Sequence, residues 1–168
     1  GVSIGKDKLV FYAGTINKTL DFEAVLYVAK ELKETKKNLK IVICGGGPQL
    51  ESFKLLFKEL DNVIFTGWVD RNMLLVLARN AMASLIPYRN TKTFTLATPN
   101  KFSDALSIGI PILSCLKGEV KQLIVSKEIG FYYPSNEPEQ LLKACLKYLE
   151  SPDLVNRHSQ NSQKLYAD

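Results

Sequence analysis

The chain has 168 residues, of which 46% are hydrophobic and 23% charged, with a formal net charge of +5. That length suits one domain, long enough to bury roughly two-thirds of its unfolded surface, and the charge favours anionic partners without choosing among phosphorylated ligands, nucleic acid and acidic membrane. Three cysteines without short metal-type spacing and a single histidine, His158, exclude a His-based metal cluster and a Ser–His triad.

Six short apolar runs alternate with helical patterns: Leu9–Ala13, Leu39–Cys44, Val63–Phe65, Met82–Ile86, Ile110–Cys115 and Gly130–Tyr133. Such alternation predicts βαβ units, hence an α/β fold with a parallel six-stranded sheet. Cys44, Cys115 and Cys145 lie in or near these apolar elements and read as reduced core residues. The first strand ends in Ala13-Gly14-Thr15-Ile16-Asn17-Lys18, a turn where Gly14 allows close backbone approach and Lys18 offers a point charge for a phosphate; a plain turn with a solvated lysine is the alternative. Phe22, Val25, Ala29 and Leu32 then mark a helical stripe.

The second strand ends in Cys44-Gly45-Gly46-Gly47-Pro48, which lacks the third glycine of the dinucleotide fingerprint, so ordinary turn chemistry is expected there. Leu50, Phe53, Phe57 and Leu60 mark the next helix. After the third strand, backbone around Trp68 and Val69 is placed to bracket a planar base, or the indole packs on the sheet. Asp70 then reads as an N-cap for a helix over Arg71–Arg79. Tyr88–Ala97, holding Thr91, Thr93 and Thr95, is the longest irregular loop expected, at the strand ends where open parallel sheets bind ligands.

The segment from Thr98 to Ser114 is the most informative. Thr98 is an expected N-cap, with Pro99 at the first helical position and the helix running to Ile108, where Gly109 closes it and Pro111 forbids continuation. Lys101 stands in the first turn, where the helix dipole disfavours a cation unless an anion is bound. Asp104 shares its face, either accepting from ribose hydroxyls or holding the lysine as a surface pair. Gly118 and Glu119 start a further helix. Asn136 is an expected cap for Glu137–Leu149, and a last helix follows Pro152. No apolar run approaches the roughly 18 residues of a membrane span, and the first residues lack a signal-peptide pattern, so a cytoplasmic location is expected.

Taken in order, Tyr12-Ala-Gly-Thr-Ile-Asn-Lys18, Ile43-Cys-Gly-Gly-Gly-Pro48, Asn62-Val-Ile-Phe-Thr-Gly67, the Ala81–Pro87 strand, Asp104-Ala-Leu-Ser-Ile-Gly-Ile-Pro-Ile112 and Gly130-Phe-Tyr132 resemble a known family. It is the C-terminal, donor-binding half of retaining glycosyltransferases of family 4, over almost the whole chain. Pro99-Asn-Lys-Phe-Ser-Asp104 is similar to the branch acting in bacterial surface-polysaccharide assembly. The resemblance implies a Rossmann-like doubly wound sheet with helices on both faces, spanning residues 1–168 as one half of a GT-B fold.

It also implies a nucleoside diphosphate sugar as donor. Gly14 and Lys18, joined by Lys101, would face its diphosphate, backbone near Trp68 and Val69 would hold its base and Asp104 its ribose, with Thr15 and Thr98 among the donor-binding residues. Lys18 and Lys101 would stabilise the departing diphosphate, with no metal or other cofactor required. An N-terminal acceptor-binding domain and a membrane-facing surface on it, at the inner face of the membrane, are implied as partners; nucleic acid is not.

One position departs from the family pattern. Two glutamates separated by seven residues are usual; Asp104 takes the second place, and Leu96 stands at the first. The threonines of the 91–98 loop are candidate substitutes, since hydroxyls donate and accept. Two other readings stay open: half of a sugar-nucleotide epimerase of the same fold, and a non-catalytic nucleotide-binding module.

Overall fold

The structure, a computed structural model, describes residues 7–96 and 98–167, with the side chains of residues 95 and 96 outside the description. Six strands form one sheet: β1 (Lys8–Ala13), β2 (Leu39–Cys44), β3 (Val63–Gly67), β4 (Ala83–Ile86), β5 (Ile112–Ser114) and β6 (Gly130–Tyr132). Their spatial order is β3-β2-β1-β4-β5-β6, with every neighbouring pair parallel. Between them run α1 (Glu23–Glu34), α2 (Leu50–Leu56), α3 (Arg71–Asn80), α4 (Lys92–Leu96), α5 (Asn100–Ile108), α6 (Glu119–Lys127), α7 (Pro138–Glu150) and α8 (Pro152–Ala167). This is the doubly wound α/β architecture expected.

A parallel sheet covered on both faces needs strands that are apolar on both sides, and β1 and β2 show the consequence residue by residue. Val10, Tyr12, Ile41 and Ile43 join the core under α1 and α7, with Phe22 and Phe57. Leu9, Phe11, Val42 and Cys44 point the other way, into the core under α3, α5 and α6. Phe22 ties the first layer together, its ring 4.7 Å from Phe53 and 5.7 Å from Tyr12. Burying one such ring stabilises the fold by about 1.5–3 kcal/mol. The three cysteines are free and buried, and burial pushes the Cys115 and Cys145 thiols up to about 11 and about 12.

Helix and strand ends bring four corrections. The 88–97 stretch is not all irregular, because α4 forms within it; Thr91 precedes that helix and its Oγ1 accepts from the Phe94 N–H at 3.5 Å. Thr98 does not cap α5. Pro99 is the N-cap, in extended conformation, because the Thr98 hydroxyl donates instead to Glu119 Oε2 at 2.9 Å. Asn136 does not cap α7 either: Pro138 disfavours the helical conformation for the residue before it, so Glu137, with φ -129° and ψ 68°, is the N-cap and the helix starts at Pro138. β5 is shorter than Ile110–Cys115, since the Ile110 N–H bonds back to Ala105 O at 3.0 Å in closing α5 and Pro111 has no N–H for the ladder. Gly109, in the left-handed conformation, is the C-cap of α5 as expected, and Asp70 caps α3, accepting from the Met73 N–H at 2.8 Å.

Candidate functional site

The strand order places β1 beside β4, with the chain leaving them toward opposite sides of the sheet. Such a switch point opens a crevice at the carboxyl ends of the strands. Here the loops that leave it are tied together on one side: Asp21 N–H donates to Pro87 O (2.6 Å) and Arg89 N–H to Thr19 O (2.8 Å), with an antiparallel bridge between Leu20 and Tyr88. The tie holds Asn17 and Thr19 opposite Tyr88 and the short α4. On the other side the β1 loop pairs with the β2 loop, Gly14 N–H donating to Cys44 O (2.9 Å) and Ile16 N–H to Gly46 O (2.8 Å).

Glycine is required in this pairing. A Cβ on Gly45 would overlap the Gly14 carbonyl, and one on Gly14 would overlap Cε and Nζ of Lys101. Gly14 also has φ 153°, a conformation that L side chains rarely adopt. Gly14 thus allows the close approach expected of it, the tri-glycine turn goes beyond the ordinary turn chemistry expected there by packing against the β1 loop, and Lys101 lies directly on Gly14.

Three cavities meet at Lys101. The largest, about 450 Å³, includes Thr15, Asn17, Thr93, Phe94, Thr98 and Lys101 in its walls. The second, about 210 Å³, is lined by Gly14, Gly45, Trp68, Val69, Leu74 and Lys101 among others. A third, about 80 Å³, adds Ser84 and Asp104 and shares Ala13, Leu74 and Lys101 with the second. Lys101 is the charged residue common to all three, and no carboxylate lines the two larger ones among the described residues.

The ammonium is also poorly matched within the protein. Burial pushes the Lys101 pKa down, and the Asp104 charge offsets this only in part. Among the described residues no carboxylate lies within ion-pair distance of it. Its Nζ stands 5.7 Å from the centroid of the Tyr12 ring, whose hydroxyl donates to Thr15 O at 2.8 Å. The first turn of α5, without a side-chain cap, opens onto the largest cavity. A desolvated cation and an uncapped helix N-terminus on one cavity are electrostatically suited to an anion.

The structure therefore gathers Gly14, Thr15, Trp68, Val69, Thr98, Lys101 and Asp104 around one crevice and leaves Lys18 out, exposed on the β1–α1 loop and in none of the three linings. Trp68 is 75% exposed, with its indole nitrogen against Gly46, so the reading in which the ring packs on the sheet is wrong. Of the loop threonines, Thr93 lines the largest cavity, while Thr95 and the Leu96 position fall among side chains outside the described residues. Asn17, Thr19 and the Tyr88–Phe94 pair, stacked with centroids 4.5 Å apart, are cavity residues that the sequence reading did not single out. Thr91 ahead of Thr93 and Phe94 was the available signal, since a hydroxyl N-cap starts the helix that carries Phe94.

Comparison with known proteins gives the family and the fold. A family model described as glycosyl transferases group 1 matches residues 2–165. The chain is 25% identical over 166 residues to an uncharacterized glycosyltransferase of Haemophilus influenzae, covering 97% of this chain and 45% of the relative. It thus spans less than half the length of that curated relative. The fold is similar to the C-terminal domain of a glycosyl transferase group 1 family protein (LpcC) from Francisella tularensis, with TM-score 0.77 at 18% identity over 95% of this chain and 84% of that one. It is also similar to HepE of Anabaena in complex with UDP-glucose, with TM-score 0.74 at 13% identity over 98% of this chain and 45% of that one. With a match running nearly from end to end, the chain belongs to the glycosyl transferases group 1 family.

Proposed function

We propose that this chain is the donor-binding half of a retaining glycosyltransferase that transfers a sugar from a nucleoside diphosphate sugar in bacterial polysaccharide or lipopolysaccharide synthesis. The observation that carries the reading is the convergence of three cavities on the desolvated Lys101, seated on Gly14 at the uncapped start of α5. The diphosphate lies at that point, the base against Trp68 and Val69, the ribose toward Asp104, and the sugar in the cavity beyond Thr98. The family relationship and the UDP-glucose held by HepE support the same class of ligand.

In transfer, the bond between the anomeric carbon and the diphosphate oxygen breaks with its electron pair left on the diphosphate. Lys101 and the α5 N-terminus meet that growing negative charge in a site already desolvated, where electrostatic stabilisation is strongest. In this reading no metal is needed and Lys18 reaches the diphosphate only from the loop. A second, N-terminal domain supplies the acceptor and a surface at the inner membrane face of the cytoplasm. Among the described residues no helix is long and apolar enough to cross a membrane.

The test is a titration of the 168-residue chain with UDP, GDP, ADP and dTDP, followed through amide chemical shifts. The expected result is a saturable shift of Gly14, Thr15 and Lys101 with at least one of them at millimolar concentration. Unperturbed signals with all four would overturn the reading. In the full-length protein, transfer to an acceptor rather than release of epimerised sugar nucleotide separates it from an epimerase.

A further inference from the structure

Resting on the donor-binding reading, we infer that the donor sugar is an N-acetylated amino sugar, selected by Asn17, Thr98 and Phe94. The polarity of the largest cavity is fixed by bonds made behind its walls. Asn17 Oδ1 accepts from the Thr19 backbone N–H (2.9 Å) and from Thr19 Oγ1 (2.5 Å). A backbone N–H can only donate, so the amide oxygen is the engaged atom and Asn17 Nδ2 is the group left to donate. No described residue accepts from it.

Thr98 is fixed in the opposite sense. Its hydroxyl hydrogen is spent on Glu119 Oε2 at 2.9 Å, so toward the cavity Thr98 offers only lone pairs. Phe94, held by its stack on Tyr88, and Pro99 add apolar surface to the same cavity. Among the polar groups of the lining, which also include Thr15, Thr93, Asn100 and Lys101, Asn17 and Thr98 are the two whose hydrogen-bonding sense is set by bonds behind the wall, one as donor and one as acceptor, and they stand beside an apolar wall.

An acetamido group carries the complements: a carbonyl for Asn17 Nδ2, an N–H for Thr98 Oγ1 and a methyl for the Phe94 ring. A hexose hydroxyl satisfies the polar pair and leaves the wall wet. A sugar carboxylate has no hydrogen for Thr98 and meets the Glu119 charge behind it. Apart from Lys101, which the phosphate engages, the described lining carries no charge and no carboxylate that would grip sugar hydroxyls.

The probes are N-acetylglucosamine 1-phosphate, glucose 1-phosphate and glucuronate 1-phosphate, with inorganic phosphate as reference; none depends on the identity of the base. Affinities are read from amide shifts of the 168-residue chain. The N-acetyl compound is expected to bind roughly tenfold tighter than the glucose compound, the low end for one well-placed group in an apolar pocket, and the glucuronate compound weakest. Asn17→Asp keeps an acceptor for Thr19 and removes the donor, and Phe94→Ala removes the wall. Each should bring the N-acetyl to glucose ratio close to one, and because a ratio is read, general effects on phosphate binding cancel. Equal binding of the two sugars while phosphate shifts Lys101 overturns this inference and leaves the donor-binding reading standing. So does a ratio that survives both substitutions. Failure of every phosphate and nucleoside diphosphate to shift Gly14 and Lys101 overturns both.

Discussion

On the β1–β2–β3 side of Lys101 the crevice is walled by backbone: Gly14 N–H donates to Cys44 O, Ile16 N–H to Gly46 O and Gly45 N–H to Gly67 O, and the missing side chain of Gly14 leaves the space that Lys101 occupies. On the β4–α4–α5 side the same crevice is walled by side chains. Asn90 bridges Cys115 O (2.9 Å) and Lys117 N (2.8 Å), Thr98 reaches Glu119, and Phe94 stacks on Tyr88. Backbone walls read what every nucleotide shares, while side-chain walls are free to change with the sugar. In the proposed function the common part of the donor lies on the first side and the variable part on the second.

If that division holds, the largest effect comes from putting a side chain into the backbone wall. Gly14→Val adds strain at φ 153° and a direct overlap with Lys101, so it should destabilise the chain by roughly 2–4 kcal/mol and abolish diphosphate binding. Urea unfolding and the amide titration report the two parts separately. Full binding by a folded Gly14→Val protein would show that the lysine does not work from that seat.

Lys101→Ala comes next. It removes a charged partner for phosphate worth about 1.5–3 kcal/mol, ten- to over a hundredfold in affinity, and should leave stability unchanged or slightly raised, because the desolvated ammonium goes with it. Lys18→Ala, at an exposed site, should lower affinity by much less and lose its effect in added salt. Equal losses from the two substitutions would place the diphosphate nearer the loop than the cavity geometry does.

The pH dependence sharpens the same point. Burial lowers the folded-state pKa of Lys101 below its ordinary value. Between the two values the unfolded chain binds more protons, so Lys101 favours stability as pH rises through that window. Binding of a diphosphate favours the ammonium and takes up a proton there, so affinity should fall at a more acid pH than for an ordinary lysine. Calorimetry in two buffers of different ionisation enthalpy measures the uptake, and Lys101→Arg should remove it.

The backbone side was also the more legible in the sequence. The runs of β-branched and apolar residues give β1 and β2 within a residue, because strands covered on both faces must be apolar throughout. Gly14 in the first turn announces close approach, whereas the tri-glycine run announces only a tight turn and not its packing on the β1 loop. The side-chain half was read less well. Whether Thr98 caps α5 or bonds Glu119, 21 residues on, depends on how two loops meet and not on local propensity. Likewise Asn17 and Phe94 reach one cavity only because the 17–21 and 87–89 segments pair. Lys18 shows the converse: a lysine at the right sequence distance from Gly14 is exposed and lines none of the three cavities.

The smallest effect is expected where the division is most exposed to test, at the Thr98–Glu119 bond. Both groups are partly in water, so Glu119→Gln should change stability by less than about 1 kcal/mol. A glutamine amide still accepts through its oxygen, and Thr98 keeps its place. Glu119→Ala frees the hydroxyl hydrogen of Thr98, which then donates into the cavity as readily as it accepts. In the side-chain wall that loss of polarity should narrow the difference between sugars, while affinity for the plain nucleoside diphosphate stays within about twofold, since an exposed bond at this distance from Lys101 carries little of the phosphate energy. A large drop in diphosphate affinity with Glu119→Ala would instead mean that α6 helps to hold the start of α5, and that the two walls are coupled.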